Sequence, residues 1–287
     1  MTTGSRTLGE AIHTVGALLF KAGIENARSE ARLIVQHVIE TSGSVITRFP
    51  HEELRYDVWN KIWPLAERRT RHEPLAYITK EKEFWSLSFK VSNDTLIPRP
   101  DSETLIEAIL DFTPNTLAKL KILDLGTGSG CLLGALLSEL THSAGIGVDA
   151  NGAAVNIARE NMRRLGFSKR SEIRSGDWGY GINESFDIIA CNPPYIRSQD
   201  IEKLDNEVRH YEPRLALDGG KDGLEAYRIL ADQIFRLLKD TGLAAVEVGI
   251  GQAQAVSSIF EGTGLTISHI RLDLASRERC LLATVQN

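Results

Sequence analysis

The sequence has little cysteine and no spacing typical of metal ligands. Its three cysteines, Cys131, Cys191 and Cys280, are far apart and form no CxxC pair, and its seven histidines form neither an HExxH motif nor an i, i+4 pair. Disulfide frameworks and zinc sites are built from recognisable spacings of these residues. We therefore expect no bound metal and no disulfide, and a reducing, cytoplasmic environment.

Long apolar runs and an excess of positive charge are also absent. No apolar run approaches the roughly 20 residues that cross a bilayer, and residues 1–6 lack the basic-then-apolar pattern of a signal peptide. The formal net charge is −5 and the pI is about 5.9, whereas proteins that bind nucleic acid through its phosphates are usually basic. We expect no membrane association, no direct nucleic-acid binding, and a protein or small-molecule substrate.

Helical periodicity dominates the N-terminal part of the chain. A capping-box pattern begins at Thr7, Asn26 can cap a second helix, and a third helix is expected from about Asp57 until it breaks near Pro74. The pattern predicts a small helical-bundle domain over residues 1–76. Its basic cluster, Arg68 to Arg71, could contact an acidic partner, but a solvated helix face is favoured because that is the usual role of a charge run.

The segment after this bundle has a different pattern. Over residues 77–97, aromatic and apolar residues alternate with polar ones and Ser92-Asn93-Asp94 supplies turn chemistry, which predicts a hairpin linker. Pro98-Arg99-Pro100-Asp101 follows, where two prolines stiffen the chain and Asp101 can cap the next helix. We place the start of the second domain, residues 98–287, at this point.

From about residue 120, apolar strands alternate with helices. Strands are expected at 121–125, 145–149, 171–177, 186–191 and 243–248, with two more between 267 and 285. This alternation predicts a parallel, doubly wound α/β sheet with helices on both faces.

A glycine-rich loop follows the first of these strands. It consists of Gly126, Thr127, Gly128, Ser129 and Gly130. Glycines let a ligand approach the backbone closely. The spacing is GxGxG rather than the GxGxxG of dinucleotide folds, and the absence of a Gly-Lys-Ser/Thr sequence excludes a P-loop. Such a loop alone is also compatible with a purely structural turn.

Polar and aromatic residues at the ends of the next strands strengthen the prediction of a ligand site. Asp149 can accept hydrogen bonds from the hydroxyls of a ribose. Asp177 can accept one from an adenine amino group, and Trp178 offers a surface for stacking. Asn192 ends the fourth strand. Because parallel strands end at one edge of the sheet, these residues predict a site for S-adenosylmethionine, which carries adenosine without a pyrophosphate.

The motif Asn192-Pro193-Pro194-Tyr195 predicts the chemistry. The Asn192 side-chain oxygen and the Pro193 carbonyl can accept both N–H groups of a planar amide or amino nitrogen, and the prolines fix the backbone. Tyr195 can lie against the flat substrate group. Taken in isolation, the motif would be a rigid loop with Tyr195 in the core, but its place beside the glycine loop favours methyl transfer. Cys191 is expected in the strand core rather than as a nucleophile.

With these residues identified, the sequence resembles the release factor glutamine methyltransferase (PrmC/HemK) family over essentially its whole length. Besides the glycine loop and the Asn-Pro-Pro-Tyr motif, the resemblance includes Arg71 to Ile78, Glu83-Phe84-Trp85, Leu96 to Pro100, Glu207 to Pro213 and Gly219 to Leu224. It implies a Rossmann-like class I methyltransferase sheet, joined through the hairpin linker to the N-terminal helical-bundle domain.

The resemblance also implies a reaction and a partner. It implies S-adenosylmethionine-dependent methylation of the side-chain amide of the glutamine in the Gly-Gly-Gln motif of class I peptide chain release factors. Residues matching Gly126 to Gly130, Asp149 and Trp178 would hold the cofactor, and those matching Asn192 to Tyr195 the glutamine. The helical domain would help dock the release factor. Separately from the resemblance, we expect the enzyme to be a monomer.

Three alternatives stay open. A ribosomal-protein glutamine methyltransferase shares the fold and the Asn-Pro-Pro-Tyr motif, but its loop before the core resembles Pro-Arg-Ser-Pro rather than Pro98-Arg99-Pro100-Asp101. An adenine amino methyltransferase acting on nucleic acid is disfavoured by the acidic pI. A non-catalytic binding module is disfavoured because both halves of the site are intact.

Overall fold

A computed structural model describes residues 6–39, 49–113 and 115–285 of the chain. The chain divides into two units: Met1–Lys80 with Asp205–Tyr211, and Glu81–Leu204 with Glu212–Asn287. Residues 77–80 of the predicted linker belong to the first unit and residues 81–97 to the second. The division into functional domains at residues 1–76, 77–97 and 98–287 remains a prediction. Residues 1–5, which bear on the prediction of no signal peptide, lie outside the described ranges.

The first unit is helical. It contains α1 (Leu8–Lys21), α2 (Ala27–Ile39), α3 (Tyr56–Thr70), α4 (Leu75–Thr79) and α8 (Asn206–Tyr211), with a two-residue pairing of β1 (Arg6–Thr7) and β2 (Glu53–Leu54). The predicted capping box at Thr7 is confirmed, because its Oγ1 accepts a hydrogen bond from the Glu10 backbone N–H at 3.2 Å and the Glu10 carboxylate accepts one from the Thr7 N–H at 2.8 Å. The apolar faces of α1, α2 and α3 form the core of this unit.

The basic cluster of α3 is partly internal to this unit. Arg69 is 3% exposed and pairs with Glu30 at 2.5 Å and with Glu207 of α8 at 2.6 Å. Arg68 pairs with Glu73 at 2.5 Å. The prediction of a solvated face is therefore wrong for Arg69. A buried guanidinium needs carboxylate partners, and both carboxylates that pair with Arg69 come from distant parts of the sequence.

The second unit contains a β3–β4 hairpin and a seven-stranded sheet in the order β10-β11-β9-β8-β5-β6-β7. The strands are β3 (Glu81–Phe84), β4 (Leu87–Lys90), β5 (Lys121–Leu125), β6 (Ala144–Asp149), β7 (Ser171–Ser175), β8 (Phe186–Cys191), β9 (Leu238–Glu247), β10 (Leu265–Leu272) and β11 (Glu278–Val285). The helices are α5 (Glu103–Asp111), α6 (Cys131–Glu139), α7 (Gly152–Arg164), α9 (Glu225–Leu237) and α10 (Ala253–Glu261).

The central strands alternate their side chains between two buried layers. Ile122 and Ile188 pack on one face with α5, α6 and α7. Leu123 and Ile189 pack on the other face with α9 and α10. Because both faces are covered, the strands are almost uniformly apolar, as parallel strands usually are. The predicted α/β class, with helices on both faces, is confirmed.

The sheet is mixed rather than wholly parallel, which corrects the predicted parallel sheet. Strands β7, β6, β5, β8 and β9 are parallel, whereas β11 lies between β9 and β10 and runs antiparallel to both. Residues 273–277, which join β10 to β11, are too few for the crossover that two parallel strands need. A direct antiparallel connection is the geometry that remains.

Candidate functional site

The carboxyl ends of the parallel strands border a cavity of about 300 Å³. Most of the predicted site residues line it, namely Gly126, Thr127, Gly128, Ser129, Asp149, Asp177, Trp178, Asn192 and Pro194. The sheet thus brings the ends of β5, β6 and β8 and the loop after β7 to one place, as the strand order predicts. Gly130, Pro193 and Tyr195, although described by the structure, are not among the lining residues.

The glycine loop is held to the neighbouring strand by its backbone. Gly126 N–H and Thr127 N–H both donate to the carbonyl oxygen of Val148 at 2.9 Å. Gly130 has a φ of +80° and precedes the first residue of α6, and a Cβ built there would lie 3.1 Å from Met162 Cε. Gly130 therefore permits the turn into α6 and the close packing of α6 on α7, rather than contact with the cavity.

Asp124, at the end of β5, is a buried support of this loop. Its Oδ2 accepts hydrogen bonds from Thr127 Oγ1 at 2.6 Å and from the Leu133 N–H at 3.3 Å, and its side chain is fully buried. Burial raises the pKa of Asp124 to about 7, although the Thr127 and Leu133 hydrogen bonds oppose the shift. The carboxyl group therefore titrates near neutral pH.

Asp149 lies where the prediction places a ribose-binding carboxylate. Its Oδ2 accepts from the Gly128 N–H and its Oδ1 from the Asn151 N–H, each at 2.8 Å. Both oxygens keep a further lone pair for a ligand. Trp178 lies close to the glycine loop, since a Cβ built on Gly126 would be 3.5 Å from its Cζ3 atom.

Ser129 provides an independent test of whether this cavity suits a polar ligand. The residue is 2% exposed and lines the cavity, and within the described ranges its Oγ has the Cys131 thiol beside it but no nitrogen or oxygen partner. Buried hydroxyls without a nitrogen or oxygen partner are rare in native proteins. The Ser129 hydroxyl, the Asp149 carboxylate and the Trp178 indole around one cavity fit S-adenosylmethionine, whose hydroxyl, amino and carboxylate groups are complementary to them.

A buried polar chain connects Asn192 to the end of β9. Asn192 Nδ2 donates to Ser102 Oγ at 3.1 Å, and Ser102 Oγ donates to Glu247 Oε2 at 2.5 Å. Tyr195 Oη donates to Glu247 Oε1 at 3.2 Å. Burial, followed by the charge of Glu247, raises the pKa of Tyr195 well above its usual value, so its phenol stays protonated and donates. Tyr195 thus anchors its loop to β9.

Several residues of this region were missed by the sequence analysis. Ser102 and Glu247 belong to segments far from Asn192 along the chain, and no local motif marks them. Gln252 is a third, because its Nε2 donates to the Tyr195 carbonyl at 3.0 Å and holds the end of the motif. The prediction that Asp101 caps α5 is wrong: no side chain caps that helix, and Asp101 instead pairs with Arg279 at 3.3 Å.

Other chemistries find little support in the described residues. None of the ranges 6–39, 49–113 and 115–285 contains a group of three or more side chains suited to a metal, or a helix long and apolar enough to cross a membrane. Cys191 is fully buried in the core, as predicted, and burial raises the pKa of its thiol. Burial also raises the pKa of Cys131 to about 12, which leaves it a poor nucleophile.

Comparison with known proteins agrees with this geometry. Residues 10–79 match the PrmC N-terminal domain and residues 101–210 the methyltransferase small domain. The chain is 40% identical over 262 residues to the release factor glutamine methyltransferase of Caulobacter vibrioides, covering 91% of this chain and 90% of that protein. This chain belongs to the release factor glutamine methyltransferase family. Relatives of the same name from Rhodospirillum rubrum (42% identical, 91% of this chain, 80% of that protein) and Agrobacterium fabrum (35%, 97% of each) support the assignment.

Solved structures support the fold. The catalytic domain of hMettl16, in complex with an RNA hairpin, aligns with a TM-score of 0.57 at 17% identity, over 78% of this chain and 82% of that chain. A methyltransferase from Pyrococcus furiosus aligns with a TM-score of 0.51 at 18% identity, over 76% and 98%. These neighbours confirm the class I methyltransferase sheet of the family, for which S-adenosylmethionine is the implied methyl donor.

Proposed function

We propose that this chain methylates the side-chain amide nitrogen of the glutamine in the Gly-Gly-Gln motif of class I peptide chain release factors. Family membership supports the substrate. The observation that carries the chemistry is the state of Asn192, which lines the cavity while its Nδ2 is bonded to Ser102. No described residue donates to Asn192 Oδ1, which therefore can accept an N–H from the substrate.

The chemistry requires a polarised amide. The lone pair of an amide nitrogen is delocalised into its carbonyl, so the nitrogen is a weak nucleophile. Asn192 Oδ1 and the Pro193 carbonyl are two acceptors for the N–H bonds of the glutamine, and they favour the positive charge that develops on its nitrogen. Pro193 and Pro194 restrict the backbone that carries the second acceptor. When bound, S-adenosylmethionine supplies an electrophilic methyl group on its sulfonium.

The residues around the glycine loop would hold the cofactor. We assign Asp149 to the ribose hydroxyls, Asp177 to the adenine amino group and Trp178 to stacking. Ser129 and the backbone of Gly126 and Gly128 would contact the remaining polar groups. These residues would bind and orient the cofactor. The rate enhancement then comes mainly from alignment of the glutamine nitrogen with the methyl group.

The partner and setting follow from this substrate. We propose that the first unit docks the release factor, that the enzyme acts as a monomer, and that the reaction takes place in the cytoplasm, where release factors function. Direct nucleic-acid binding is not part of the proposal, because the chain has a formal net charge of −5.

Transfer of a labelled methyl group tests the substrate. The chain is incubated with labelled cofactor and, separately, with a class I release factor, ribosomal protein, DNA and RNA. We expect label in the release factor, and none in a release factor whose Gly-Gly-Gln glutamine is replaced by alanine. Label confined to ribosomal protein or to nucleic acid would reject the proposal in favour of one of the alternatives.

A further inference from the structure

The side-chain amide of Asn192 has two possible orientations, and only one serves the proposed function. In one orientation Nδ2 faces Ser102 and Oδ1 remains for the substrate. In the reverse orientation Oδ1 faces Ser102, and Nδ2 would meet the substrate N–H groups donor to donor. Something in the structure must therefore favour the first orientation.

The hydroxyl of Ser102 decides between them. Ser102 is 3% exposed, and its single proton is directed to Glu247 Oε2 at 2.5 Å. A hydroxyl that donates to a carboxylate has only its lone pairs left. Ser102 Oγ can then only accept from Asn192, which it does at 3.1 Å. Glu247 therefore sets the direction of the two hydrogen bonds that connect it, through Ser102, to Asn192.

Glu247 is arranged as an acceptor. It is 1% exposed, and it accepts a second hydroxyl proton from Tyr195 at 3.2 Å. Burial raises the pKa of Glu247, whereas the hydrogen bond from Ser102 and the charge of Arg279 oppose this shift and favour the ionised form. An ionised carboxylate can only accept hydrogen bonds. With Ser102 and Tyr195 as donors on separate oxygens, the carboxylate fixes the direction of both hydroxyls.

We propose that Ser102 and Glu247 are positioning residues that hold the Asn192 amide with its oxygen towards the substrate. This inference rests on the proposed function and adds a second layer to the site: Asn192 contacts the substrate, whereas Ser102 and Glu247 act through Asn192. Tyr195 shares the same carboxylate, so the two ends of the Asn-Pro-Pro-Tyr motif are tied to one residue of β9.

The substitution Glu247→Gln tests the direction of these hydrogen bonds, because it changes the shape of the side chain very little. The Gln side chain can donate to Ser102, which can then donate to Asn192 and favour the reverse amide orientation. We expect kcat to fall about tenfold to a hundredfold, which is part of what one preorganised acceptor contributes, while KM for the cofactor stays unchanged. Asp187→Asn, at the opposite end of β8, is the matched carboxylate-to-amide control and keeps wild-type kcat.

A second variant, Ser102→Ala, removes the hydroxyl that connects Asn192 to Glu247. We expect a smaller fall in kcat, because the amide then samples both orientations. In the double variant Ser102→Ala/Glu247→Gln, the Glu247 substitution should have little further effect on kcat, since its influence passes through Ser102. Ser257→Ala, which removes another buried hydroxyl, is the matched control.

The pH dependence of kcat gives a readout that a merely structural role would not move. Burial raises the pKa of Glu247 above that of an ordinary glutamate. As pH falls through this raised value, Glu247 gains a proton and can donate to Ser102, so kcat falls on the acid side. We expect this acid limb to be absent in Glu247→Gln. The other titratable or charged groups facing Glu247 are Asp101, Tyr195, Tyr227, Arg279, Cys191 and Cys280.

The outcomes separate this inference from the proposed function. A wild-type chain that does not methylate the release factor overturns both. An active wild type with unchanged kcat in Glu247→Gln and Ser102→Ala overturns the positioning role alone. The positioning role is also overturned if the losses of kcat in the two single variants add up in the double variant while the acid limb persists in Glu247→Gln. Circular dichroism checks folding, and Ser102→Ala keeps the inference testable if Glu247→Gln does not fold.

Discussion

At the scale of single residues, the proposed function gives Asn192 and Asp149 separate tasks: Asn192 would contact the methyl-accepting amide of the substrate, and Asp149 would contact the methyl donor. Asn192 belongs to the buried chain through Ser102 to Glu247, whereas Asp149 holds the glycine loop through Gly128 N–H. Substitutions at these two positions should therefore affect different kinetic constants.

Asn192→Ala should abolish most methyl transfer while leaving cofactor binding intact. The substitution removes one preorganised acceptor, which is typically worth about 10²–10³ in rate. Single-turnover transfer to the release factor and calorimetric titration with the cofactor measure the two effects. Asn183→Ala, at an exposed position, serves as the control. A lost cofactor affinity with a normal rate would show that the role of Asn192 is misassigned.

Asp149→Ala should weaken cofactor binding first. The variant loses the ribose contacts and also leaves the Gly128 and Asn151 N–H groups without their acceptor. A hydrogen bond to a charged group contributes about 1.5–3 kcal/mol, so the dissociation constant should rise by at least about tenfold. Titration calorimetry measures it, with Asp240→Ala at an exposed position as the control. An unchanged affinity would reject the ribose assignment.

At the scale of elements, two glycines at helix starts should respond to alanine in opposite ways. Gly130 has a φ of +80°, and a Cβ there would lie only 3.1 Å from Met162 Cε, whereas Gly152 begins α7 with open space around it. Gly130→Ala should lower the free energy of unfolding by about 1–3 kcal/mol through strain and overpacking. Gly152→Ala should raise it by about 0.5–1 kcal/mol.

Urea denaturation of both variants measures these changes, and each is the control for the other. Equal effects of the two substitutions would mean that α6 does not depend on the left-handed conformation at Gly130. A stability gain in Gly130→Ala would contradict the packing of α6 against Met162.

The elements differ in how far the sequence predicts them. β5 and β8 begin and end at the predicted residues, because an apolar run buried on both sides has sharp limits. β9 begins at Leu238 rather than at residue 243, since its polar first half is not distinguishable from the end of a helix. The antiparallel placement of β11 depends on pairing between distant strands, and no local pattern encodes it.

At the scale of the whole molecule, Asp124 links stability to pH. Burial raises its pKa to about 7 in the folded state, well above the ordinary value of 3.8 for an aspartate, so the folded state binds more protons in this range. The stabilisation is complete below the unfolded value and is lost as pH rises towards the folded one. Relative to Asp124→Asn, which does not titrate, the wild type should lose roughly 1–3 kcal/mol between pH 4 and pH 7.

Urea denaturation at a series of pH values compares the two proteins. A constant difference in the free energy of unfolding across this range would show that Asp124 is not the buried titrating group. Asp187→Asn, which changes an incompletely buried carboxylate, is the control for the general effect of removing a negative charge.

The site as a whole shows which parts of a function are local in sequence. The glycine loop, Asp149 and the Asn-Pro-Pro-Tyr motif are short patterns at strand ends, and the parallel sheet brings them together. Ser102 and Glu247 carry no such pattern. They join Asn192 through hydrogen bonds between segments 90 and 145 residues apart, and only the folded sheet and the packing of α5 bring them together.

We infer that the cavity presents the glutamine amide to the methyl donor through Asn192. Tandem mass spectrometry of the release factor after reaction with wild-type chain and with Asn192→Ala tests it most directly. We expect one methyl group on the side-chain nitrogen of the Gly-Gly-Gln glutamine with the wild type, and a yield lower by about 10²-fold or more with the variant. A methyl group on any other atom, or equal yields from the two proteins, would contradict it.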